Sequence, residues 1–490
     1  MQLNLNTSSQ RDYQLFIRLK SLPKYSFTGT TATFPDEYAG MLGLECNEQT
    51  GAEYQAIDGL FDYQKAISEM VIEKEKFAVF ADCGLGKTLI MLEAARHWLE
   101  ALDGKSVLIV SPLMVVRQTI SEAAVFYKDL NLRQVKASEL SDVLPGSSGE
   151  ILITNYEALR DDTPQGNIGA LILDESSMLK SHYGKWGQSC LRLGAGLKYK
   201  LALTGTPAPN DRIEYANHAV FLDAFTTVNS FLARYFVNRG QTDNRWELKP
   251  HALEPFYRSL SHWAIFISNP ATYGWKDNCE TIPPIHIHIH DISLTKEQQA
   301  LAFEKTGSLF ADQIGGITSR SVLSQIAKGS YRGKRIETNK PAAIAELVET
   351  WPEESTIIWC KYNAEQEIIA EQFPAAHSID GSTTYEDRES MINDFKSGKC
   401  KVMISKPKIL GFGLNLQIAT RQVFSGLQDS YEEFYQAVKR SNRYGSSRPL
   451  NVHIPVTDIE RPMIETVLAK AKRVQHDTDQ QERIFHDNAE

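Results

Sequence analysis

Residues 77–88, with the sequence FAVFADCGLGKT, decide the fold of this chain. The four apolar residues FAVF predict a buried strand, and the pattern of residues 89–99, LIMLEAARHWL, predicts a helix directly after the loop. A loop in this position binds phosphates when its glycines let backbone N–H groups turn toward them, a role that Gly84 and Gly86 fit. Ala81 stands where the usual pattern has its first glycine. The segment predicts a phosphate-binding loop.

Two side chains at the end of this loop suit a bound nucleotide. Lys87 brings a positive charge to the β- and γ-phosphates, and Thr88 offers its hydroxyl to magnesium. A second motif, LILDESS at residues 171–177, is an apolar strand that delivers two adjacent carboxylates. We expect Asp174 to hold Mg²⁺ and Glu175 to polarise the attacking water. An acidic pair alone is usually a solvated turn, but after a phosphate loop it predicts ATP hydrolysis.

Three further motifs carry polar side chains that suit the same chemistry. Residues 203–207, LTGTP, place two hydroxyls on a tight turn, although an ordinary strand-ending turn has the same appearance. Glycines and an asparagine follow in GFGLNL, residues 411–416. If the next segment is helical, Gln436, Arg440 and Arg443 share one face at i, i+4 and i+7. Two arginines there suit arginine fingers for an ATP site, and a plain surface helix is the alternative.

Short apolar runs alternate with helical patterns along the chain, which predicts an α/β protein. The predicted strands of the first half are Phe77–Ala81, Ser106–Val110, Glu150–Thr154, Ala170–Leu173 and Tyr199–Thr204. Those of the second half are Ile285–Ile292, Ser355–Cys360, Ala376–Ile379, Lys401–Ser405, Gln422–Phe424 and Leu450–Pro455. Two such sets predict two similar lobes with parallel sheets covered by helices.

The lobes and the remaining segments have predicted boundaries. We expect an N-terminal accessory segment at 1–52, lobe 1 at 53–280 with a helical insertion at 221–275, lobe 2 at 281–460 with a basic segment at 318–340, and a C-terminal helical tail at 461–490. The aromatic residues of the insertion are expected to form a local core, with base stacking as the less favoured alternative. The basic segment has too few apolar residues for a core, so it is either a solvated loop or a phosphate contact.

Composition indicates a cytoplasmic protein. The net charge of −9 does not favour a general nucleic-acid coat, but it allows a local basic channel. Six scattered cysteines without a C-x-x-C pair are typical of reduced thiols, and no apolar run is long enough to span a membrane. Residues 286–292, HIHIHDI, align three histidines on one side of a strand. Isoleucines packed inward are the preferred interpretation there, and a metal site is the alternative.

Taken in order, the motifs resemble superfamily-two helicases and, within them, Swi/Snf-type ATPases. The matching segments, over about residues 60–450, are YQ at 63–64, the phosphate loop, SPL at 111–113, TNYE at 154–157, DESS at 174–177, TGTP at 204–207, IIWC at 357–360, DGST at 380–383, GFGLNL at 411–416 and the Q-x-x-x-R-x-x-R segment at 436–443. The resemblance implies two RecA-like lobes with ATP bound in the cleft between them.

The resemblance also implies a role for each motif. Gln64 would read the adenine edge. Nucleotide contacts are expected from Asp82, Gly84, Leu85, Gly86, Lys87, Thr88 and Gly413, with Thr88 and Asp174 on magnesium and Gln436, Arg440 and Arg443 completing the site. One nucleic-acid strand would be gripped by Ser111, Pro112, Thr154, Asn155, Tyr156, Lys361, Gly381, Ser382 and Asn415.

Departures from the family pattern narrow the expected function. Ser177 stands where most eukaryotic remodellers have histidine, and the chain lacks long insertions. It is most similar to the compact phage and mobile-element members. We expect an ATP- and Mg²⁺-dependent translocase on duplex or branched DNA in phage or bacterial DNA metabolism, with a replication, recombination or single-strand-binding protein as a further partner. A strand-separating helicase, an RNA-tracking helicase and a nucleotide-switched binding module remain alternatives.

Overall fold

The chain forms two compact units, each built on its own parallel sheet. The computed structural model describes residues 1–22, 25–34, 38–42, 44, 54–180, 184–240, 246–276, 282–307, 317–410, 414–427, 430–443 and 445–489. Unit 1 comprises Met1–Asp277 and His476–Glu490, and unit 2 comprises Asn278–Gln475. The expected boundary between the lobes, at residues 280 and 281, therefore lies three residues after the boundary between the units.

Unit 1 begins with a small α/β module. Its elements are β1 (Gln2–Asn4), α1 (Gln10–Ser21), β2 (Ser26–Thr28), β3 (Thr31–Thr33) and α2 (Ala39–Leu42). The three strands form an antiparallel sheet in the order β1-β3-β2. A core of its own, which includes Leu19, Ala32 and Phe34, holds this N-terminal module together.

The rest of unit 1 is a seven-stranded sheet with helices along the chain between its strands. Its elements are α3 (Asp62–Lys74), β4 (Lys76–Ala81), α4 (Lys87–Ala101), β5 (Ser106–Ser111), α5 (Leu113–Phe126), β6 (Leu132–Gln134), α6 (Leu140–Gly146), β7 (Ile151–Asn155), β8 (Ile168–Asp174), α7 (Lys185–Leu193), β9 (Tyr199–Thr204), α8 (Tyr215–Phe221), α9 (Val228–Tyr235), β10 (Phe236–Asn238), β11 (Trp246–Leu248), α10 (Leu253–Leu260) and β12 (Ala264–Ile267). The order β12-β4-β9-β8-β5-β7-β6 is parallel throughout.

Unit 2 is built on a six-stranded parallel sheet. Its elements are β13 (Ile285–Asp291), α11 (Lys296–Thr306), α12 (Ile317–Ala327), β14 (Ser330–Tyr331), β15 (Lys334–Arg335), α13 (Lys340–Glu349), β16 (Thr356–Trp359), α14 (Asn363–Ala370), β17 (His377–Ser378), α15 (Tyr385–Lys396), β18 (Val402–Ser405), β19 (Arg421–Phe424), α16 (Tyr431–Val438), β20 (Leu450–Val456) and the first part of α17 (Arg461–Ala489), whose residues from His476 onward belong to unit 1. The strand order is β13-β20-β19-β16-β18-β17. The predicted fold class, parallel sheets flanked by helices in two lobes, is confirmed.

The predicted helical insertion at 221–275 is only partly helical. Its aromatic residues build a local core as expected, because Phe231, Phe256 and Trp263 are buried in the main apolar cluster of unit 1. However, β12 lies inside the insertion and pairs in parallel with β4, with Phe266 opposite Phe80. The insertion therefore contributes an edge strand to the main sheet, which the prediction missed.

The basic segment at 318–340 contributes to a core, contrary to the expectation that it has too few apolar residues for one, and phosphate contact by its exposed cations stays a prediction. It forms α12 and the β14–β15 hairpin, and Leu323, Ile326 and Ile336 are buried in an apolar cluster. Lys328 and Lys340 are also buried, with 2% and 1% of their surface exposed, and both pair with Glu460. These two lysines therefore form ion pairs in the interior of unit 2, where they do not reach the phosphates of a nucleic acid.

The packing of the histidine strand also differs from the prediction. Ile287 and Ile289 are exposed on β13, an edge strand, whereas His288 and His290 contact residues of β20. The His288 and His290 rings stack on His453, with centroids 4.7 and 5.2 Å apart. No cluster of three metal-ligating side chains occurs among the described residues.

Candidate active site

The polar motifs of unit 1 meet because they follow neighbouring strands of one parallel sheet. The phosphate loop follows β4, the TGTP turn follows β9 and the acidic pair ends β8, and these strands are adjacent in the order β4-β9-β8. The register places Phe80 opposite Thr204 and Asp174 opposite Leu203, so the strands end at the same level. The carboxyl edge of a parallel sheet is where open α/β proteins bind ligands.

The phosphate loop adopts a conformation that requires its glycines. Gly84 and Gly86 have φ of 92° and 72°, in the left-handed region that side-chain-bearing residues rarely adopt. At Gly86 the space is also closed, since an added Cβ would lie 2.1 Å from Nε2 of Gln64. Asp82 lies in the same loop, where its carboxylate accepts the N–H of Cys83. Helix α4 begins directly afterwards at Lys87, with the half-buried Thr88 in its first turn.

The side chain of Lys87 lies over this loop. Its Nζ donates to the carbonyl oxygens of Ala81 and Asp82, at 2.9 and 3.4 Å. An added Cβ at Gly205 would lie 3.7 Å from the same Nζ, so the turn after β9 is directly beside the lysine. The structure therefore places an ammonium group between the phosphate loop and the TGTP turn, where it can neutralise phosphate charge.

Helix α3 holds the phosphate loop from the other side. The Tyr63 hydroxyl and Nε2 of Gln64 both donate to the carbonyl oxygen of Leu85, at 3.1 and 3.3 Å. Gln64 is buried, and its Oε1 accepts the N–H of Phe61. Contact of Gln64 with adenine stays a prediction. Its observed contacts position the loop backbone, together with the hydroxyl of Tyr63, to which the sequence analysis assigned no role.

Asp174 is buried at the end of β8 and surrounded by donors. Ser111 donates to its Oδ2 at 2.8 Å, and the N–H of Glu175 donates to its Oδ1 at 3.0 Å. Burial and the neighbouring Glu175 charge raise the pKa of Asp174, while the Ser111 bond and the Lys87 charge oppose the rise. A carboxylate destabilised in this way gains from a bound cation. The Asp174 carboxylate and the Thr88 hydroxyl are oxygen donors of the kind that magnesium prefers.

Glu175 has an unusual backbone and a defined side-chain partner. Its φ is 48°, a left-handed value that is uncommon outside glycine and occurs preferentially at functional sites. The Thr204 hydroxyl donates to Oε2 of Glu175 at 3.3 Å, and itself accepts the N–H of Thr206 at 3.2 Å. The TGTP turn is thereby connected to the carboxylate predicted to act on water.

Three of the predicted nucleic-acid contacts in unit 1 turn their side chains into the protein. Ser111 bonds Asp174, Thr154 donates to the carbonyl oxygen of Val135, and the Tyr156 hydroxyl donates to that of Asp174. All three are at most 1% exposed, so their side chains do not reach the surface. Pro112 is buried and caps α5, and the partly exposed Asn155 donates to Glu157. Contact of these segments with a nucleic-acid strand stays a prediction.

The arginines of unit 2 do not lie on a helix, contrary to the prediction. Helix α16 ends at Val438, so Arg440 and Arg443 occupy the turns that follow. The helix ends there because the buried Gln422 amide donates to the carbonyl oxygen of Ala437 and to Oγ of Ser441. The guanidinium of Arg443 donates back to the carbonyl oxygen of Lys439 at 2.8 Å.

Gln436 remains on the helix. Its Nε2 is buried and has no hydrogen-bond partner among the described residues. Buried polar atoms of this kind are rare unless a ligand or a water molecule accepts their hydrogen bonds. Action of Gln436, Arg440 and Arg443 on ATP stays a prediction.

The other residues of unit 2 that are predicted to contact nucleic acid lie after β-strands of its sheet or near the arginine segment. Lys361 follows β16 and packs its ammonium 5.1 Å from the Tyr362 ring. Gly381 and Ser382 are exposed after β17, with Ser382 bonded to Asp380. Asn415 is exposed, and the neighbouring Leu416 N–H donates to the Arg440 carbonyl oxygen at 3.0 Å. Gly413 lies outside the described residues.

One contact beside the acidic pair had no sequence signal. Oγ of Ser176 lies 3.0 Å from Nε2 of His218, which is fully buried on α8. Burial lowers the pKa of His218 to about 4, so this ring is neutral near pH 7. A lone histidine in an ordinary helical pattern gave no indication of this role. His218 is therefore a neutral hydrogen-bond partner of Ser176 in the DESS segment.

These features define a class of protein. It is a nucleotide hydrolase with two α/β units, each built on a parallel sheet, and with a phosphate loop and an acidic pair on one of them. The SNF2-related domain matches residues 63–338, more than half of the chain, and the helicase conserved C-terminal domain matches residues 339–445. The chain belongs to the SNF2-related family. It is a nucleic-acid-dependent ATPase of the helicase type, which confirms the expected family and enzyme class.

Two relatives are 23% and 24% identical to this chain over the residues that align. Protein p41 of Acyrthosiphon pisum secondary endosymbiont phage 1 is 23% identical over 433 residues, covering 80% of this chain and 91% of the phage protein. DNA annealing helicase and endonuclease ZRANB3 of Bos taurus is 24% identical over 441 residues, covering 82% of this chain and 40% of the bovine protein. The chain thus spans less than half of that longer relative.

Solved structures were also compared with the chain. The Sulfolobus solfataricus SWI2/SNF2 ATPase core in complex with dsDNA has a TM-score of 0.40 and 20% identity, covering 89% of this chain and 97% of that one. Across the part of the chain that the structure describes, no helix is both long and apolar enough to cross a membrane.

Proposed function

We propose that this protein couples ATP hydrolysis to movement along duplex or branched DNA, in phage or bacterial DNA metabolism. One observation carries the ATPase half of this proposal. The Lys87 ammonium, the buried Asp174 and the strained Glu175 converge at the carboxyl edge of one sheet. The DNA half is supported by relatives that are named DNA annealing helicase or helicase/translocase.

In this proposal each side chain of unit 1 has one task in hydrolysis. The loop N–H groups and the Lys87 ammonium hold the β- and γ-phosphates of ATP. Glu175 orients the attacking water and accepts its proton as the water oxygen bonds to the γ-phosphorus. The bond from the γ-phosphorus to the bridging oxygen breaks, and ADP leaves with its electron pair. Thr88 and Asp174 would hold magnesium, which would neutralise phosphate charge. Arg440 and Arg443 are proposed to stabilise charge on the γ-phosphate.

Coupling to movement requires that the nucleotide change the conformation of the site. The hydrogen bond from Thr204 to Glu175 is a candidate for this link, because it joins the hydrolytic carboxylate to a loop of the neighbouring strand. ATP and ADP would then favour different states of the motor. We also propose that a replication, recombination or single-strand-binding protein recruits the motor to its substrate.

Steady-state ATPase tests the proposal directly. The purified protein would be assayed without nucleic acid and with single-stranded DNA, duplex DNA, forked DNA and RNA. We expect stimulation by duplex or forked DNA, and its loss in Glu175→Gln. Stimulation by RNA alone would overturn the DNA proposal. Equal weak turnover with every polymer would favour a nucleotide-switched binding module instead.

A further inference from the structure

The N-terminal module, to which the sequence assigned no chemistry, presents a row of aromatic rings. Tyr13 stacks on Phe16 with ring centroids 6.4 Å apart, Phe16 contacts Phe27 at 5.2 Å, and Tyr25 meets Phe27 edge-on at 5.7 Å. Tyr25 and Phe27 are two residues apart on and beside β2, so they point to the same face of the sheet. We call Tyr13, Phe16, Tyr25 and Phe27 the aromatic patch.

The two ends of the aromatic patch are exposed. Tyr13 is 63% exposed and Tyr25 is 38% exposed, while Phe16 and Phe27 are partly buried between them. Ile17, one helical turn after Tyr13, is 50% exposed. Adjacent exposed rings of this kind mark an interaction surface, because a folded domain otherwise buries large apolar side chains. Unlike the patch, the aromatic cluster of the insertion is buried.

The segment that carries the patch is basic in a chain that is acidic as a whole. Residues 1–34 contain Arg11, Arg18, Lys20 and Lys24 with Asp12 as their single acidic residue, whereas the whole chain has a net charge of −9. Arg11 and Lys20 are exposed, and the ammonium of Lys20 lies 4.8 Å from the Phe16 ring centre. Asp12 is already bonded to the N–H of Asn6. Exposed rings combined with cations are the two requirements for binding unpaired bases and their phosphates.

The module is fastened to the rest of unit 1. The Tyr38 hydroxyl donates to the carbonyl oxygen of Ala224 at 3.1 Å, and its ring meets His262 edge-on at 6.3 Å. Arg234 donates to the carbonyl oxygen of Leu22 at 2.9 Å. A strand bound at the patch would therefore be held at a fixed position on the unit that carries the phosphate loop.

We propose that the aromatic patch is a second nucleic-acid site, which binds the unpaired bases of a single strand by stacking on Tyr13 and Tyr25. Lys20, whose ammonium lies beside Phe16, holds the phosphates of the same strand. The role of this site rests on the proposed function. A DNA motor with a second site for a single strand would prefer DNA that carries both a duplex and an unpaired strand.

Equilibrium binding without ATP tests the site separately from the motor. Fluorescence anisotropy would follow a labelled mixed-sequence single-stranded DNA and an abasic strand of the same length. Loss of one base–ring stack weakens binding about tenfold. We expect Tyr13→Ala and Tyr25→Ala each to weaken binding of the intact strand by about this factor, and Tyr13→Phe to retain it. The abasic strand should bind all variants equally.

Two controls keep the result decisive. Phe303→Ala removes an aromatic ring that is 56% exposed in unit 2, outside the patch, and should leave binding unchanged. Melting temperatures show whether each variant is folded. Unchanged binding by both alanine variants, or an equal loss with the abasic strand, would overturn the proposal. Absence of DNA-stimulated ATPase in the parent protein would defeat the motor proposal alone, because the anisotropy measurement needs no hydrolysis.

Discussion

The hydroxyl of Thr204 lies 3.3 Å from Oε2 of Glu175, and both belong to loops at the carboxyl edge of the unit 1 sheet. Thr204 is fully buried at the end of β9, and Glu175 follows β8, the neighbouring strand. The bond therefore connects two motifs that are 29 residues apart in sequence. Because the same hydroxyl accepts the N–H of Thr206, a change in the turn would reach the carboxylate.

Removal of this hydroxyl should slow hydrolysis without weakening ATP binding. A hydrogen bond to a charged group contributes about 1.5–3 kcal/mol, so Thr204→Val should lower kcat about tenfold or more. KM for ATP should change little, because Thr204 lies beside the carboxylate and not in the phosphate loop. Steady-state kinetics with saturating DNA measure both parameters. Thr204→Ser keeps the hydroxyl and serves as the control, and an unchanged kcat in the valine variant would contradict the proposed link.

Gly86→Ala should abolish tight nucleotide binding. The left-handed backbone costs about 1–3 kcal/mol for alanine, and the new methyl would lie against Nε2 of Gln64. Titration with a fluorescent ATP analogue measures the loss. Adding Gln64→Ala removes the clash but leaves the backbone strain and also removes the hydrogen bond to the Leu85 carbonyl oxygen, so the double variant should still bind nucleotide more weakly than the parent. Full affinity in Gly86→Ala would show that the loop does not need its observed conformation.

The buried ion cluster of unit 2 should make its stability depend on Glu460. Burial alone opposes ionisation, but the Lys328 and Lys340 ammonium groups lower the pKa of Glu460 to about 2. Breaking a buried pair costs about 3–5 kcal/mol, so Glu460→Gln should destabilise the protein by roughly that amount. Thermal or urea unfolding measures the change.

The same cluster predicts a pH dependence. Because the folded pKa of Glu460 lies below the ordinary 4.5, its stabilisation is complete above about pH 4.5 and is lost as pH falls toward 2. Glu460→Gln should remove this part of the acid sensitivity. Glu371→Gln is the matched control, since its pair with Arg335 is about half exposed and should not affect the melting temperature. Equal effects of the two variants would contradict the assigned role of burial.

The end of α17 should stabilise unit 1 through Asp477. This carboxylate accepts two bonds from Arg212, at 3.0 and 2.6 Å, and one from the Tyr257 hydroxyl at 2.8 Å. Asp477→Ala leaves both partners without their acceptor, which should cost about 1–3 kcal/mol in unfolding free energy. Glu465→Ala changes an exposed acid on the same helix and should have little effect. Similar stability of both variants and the parent would contradict the role of Asp477.

The strands and the unit 1 site could be predicted because their signal is local. Continuous apolar runs followed by glycine or acidic residues mark strand ends, and parallel strands bring such ends to one edge. Strand β12 was missed because its four residues stand among aromatics with helical spacing, where only pairing with β4 distinguishes a strand. Burial of Lys328 and Lys340 could not be predicted either, since their partner Glu460 is more than a hundred residues away.

The arginine segment shows a different limit of sequence reasoning. The i, i+4, i+7 spacing is a helical pattern, but Gln422 of strand β19 bonds the chain at Ala437 and Ser441 and ends the helix. Such a tertiary contact overrides local propensity. The aromatic patch could not be predicted for a different reason. The sequence shows its aromatic residues, but whether their rings are exposed depends on how α1 and β2 pack.

The central claim is most directly tested by DNA-stimulated ATPase of the parent protein beside Glu175→Gln. The account predicts that duplex or forked DNA accelerates ATP hydrolysis by the parent. The variant should bind ATP with similar affinity but lose turnover, by a factor on the order of a thousand if Glu175 acts on the attacking water. A parent enzyme with no response to DNA, or a variant with undiminished turnover, would contradict the account.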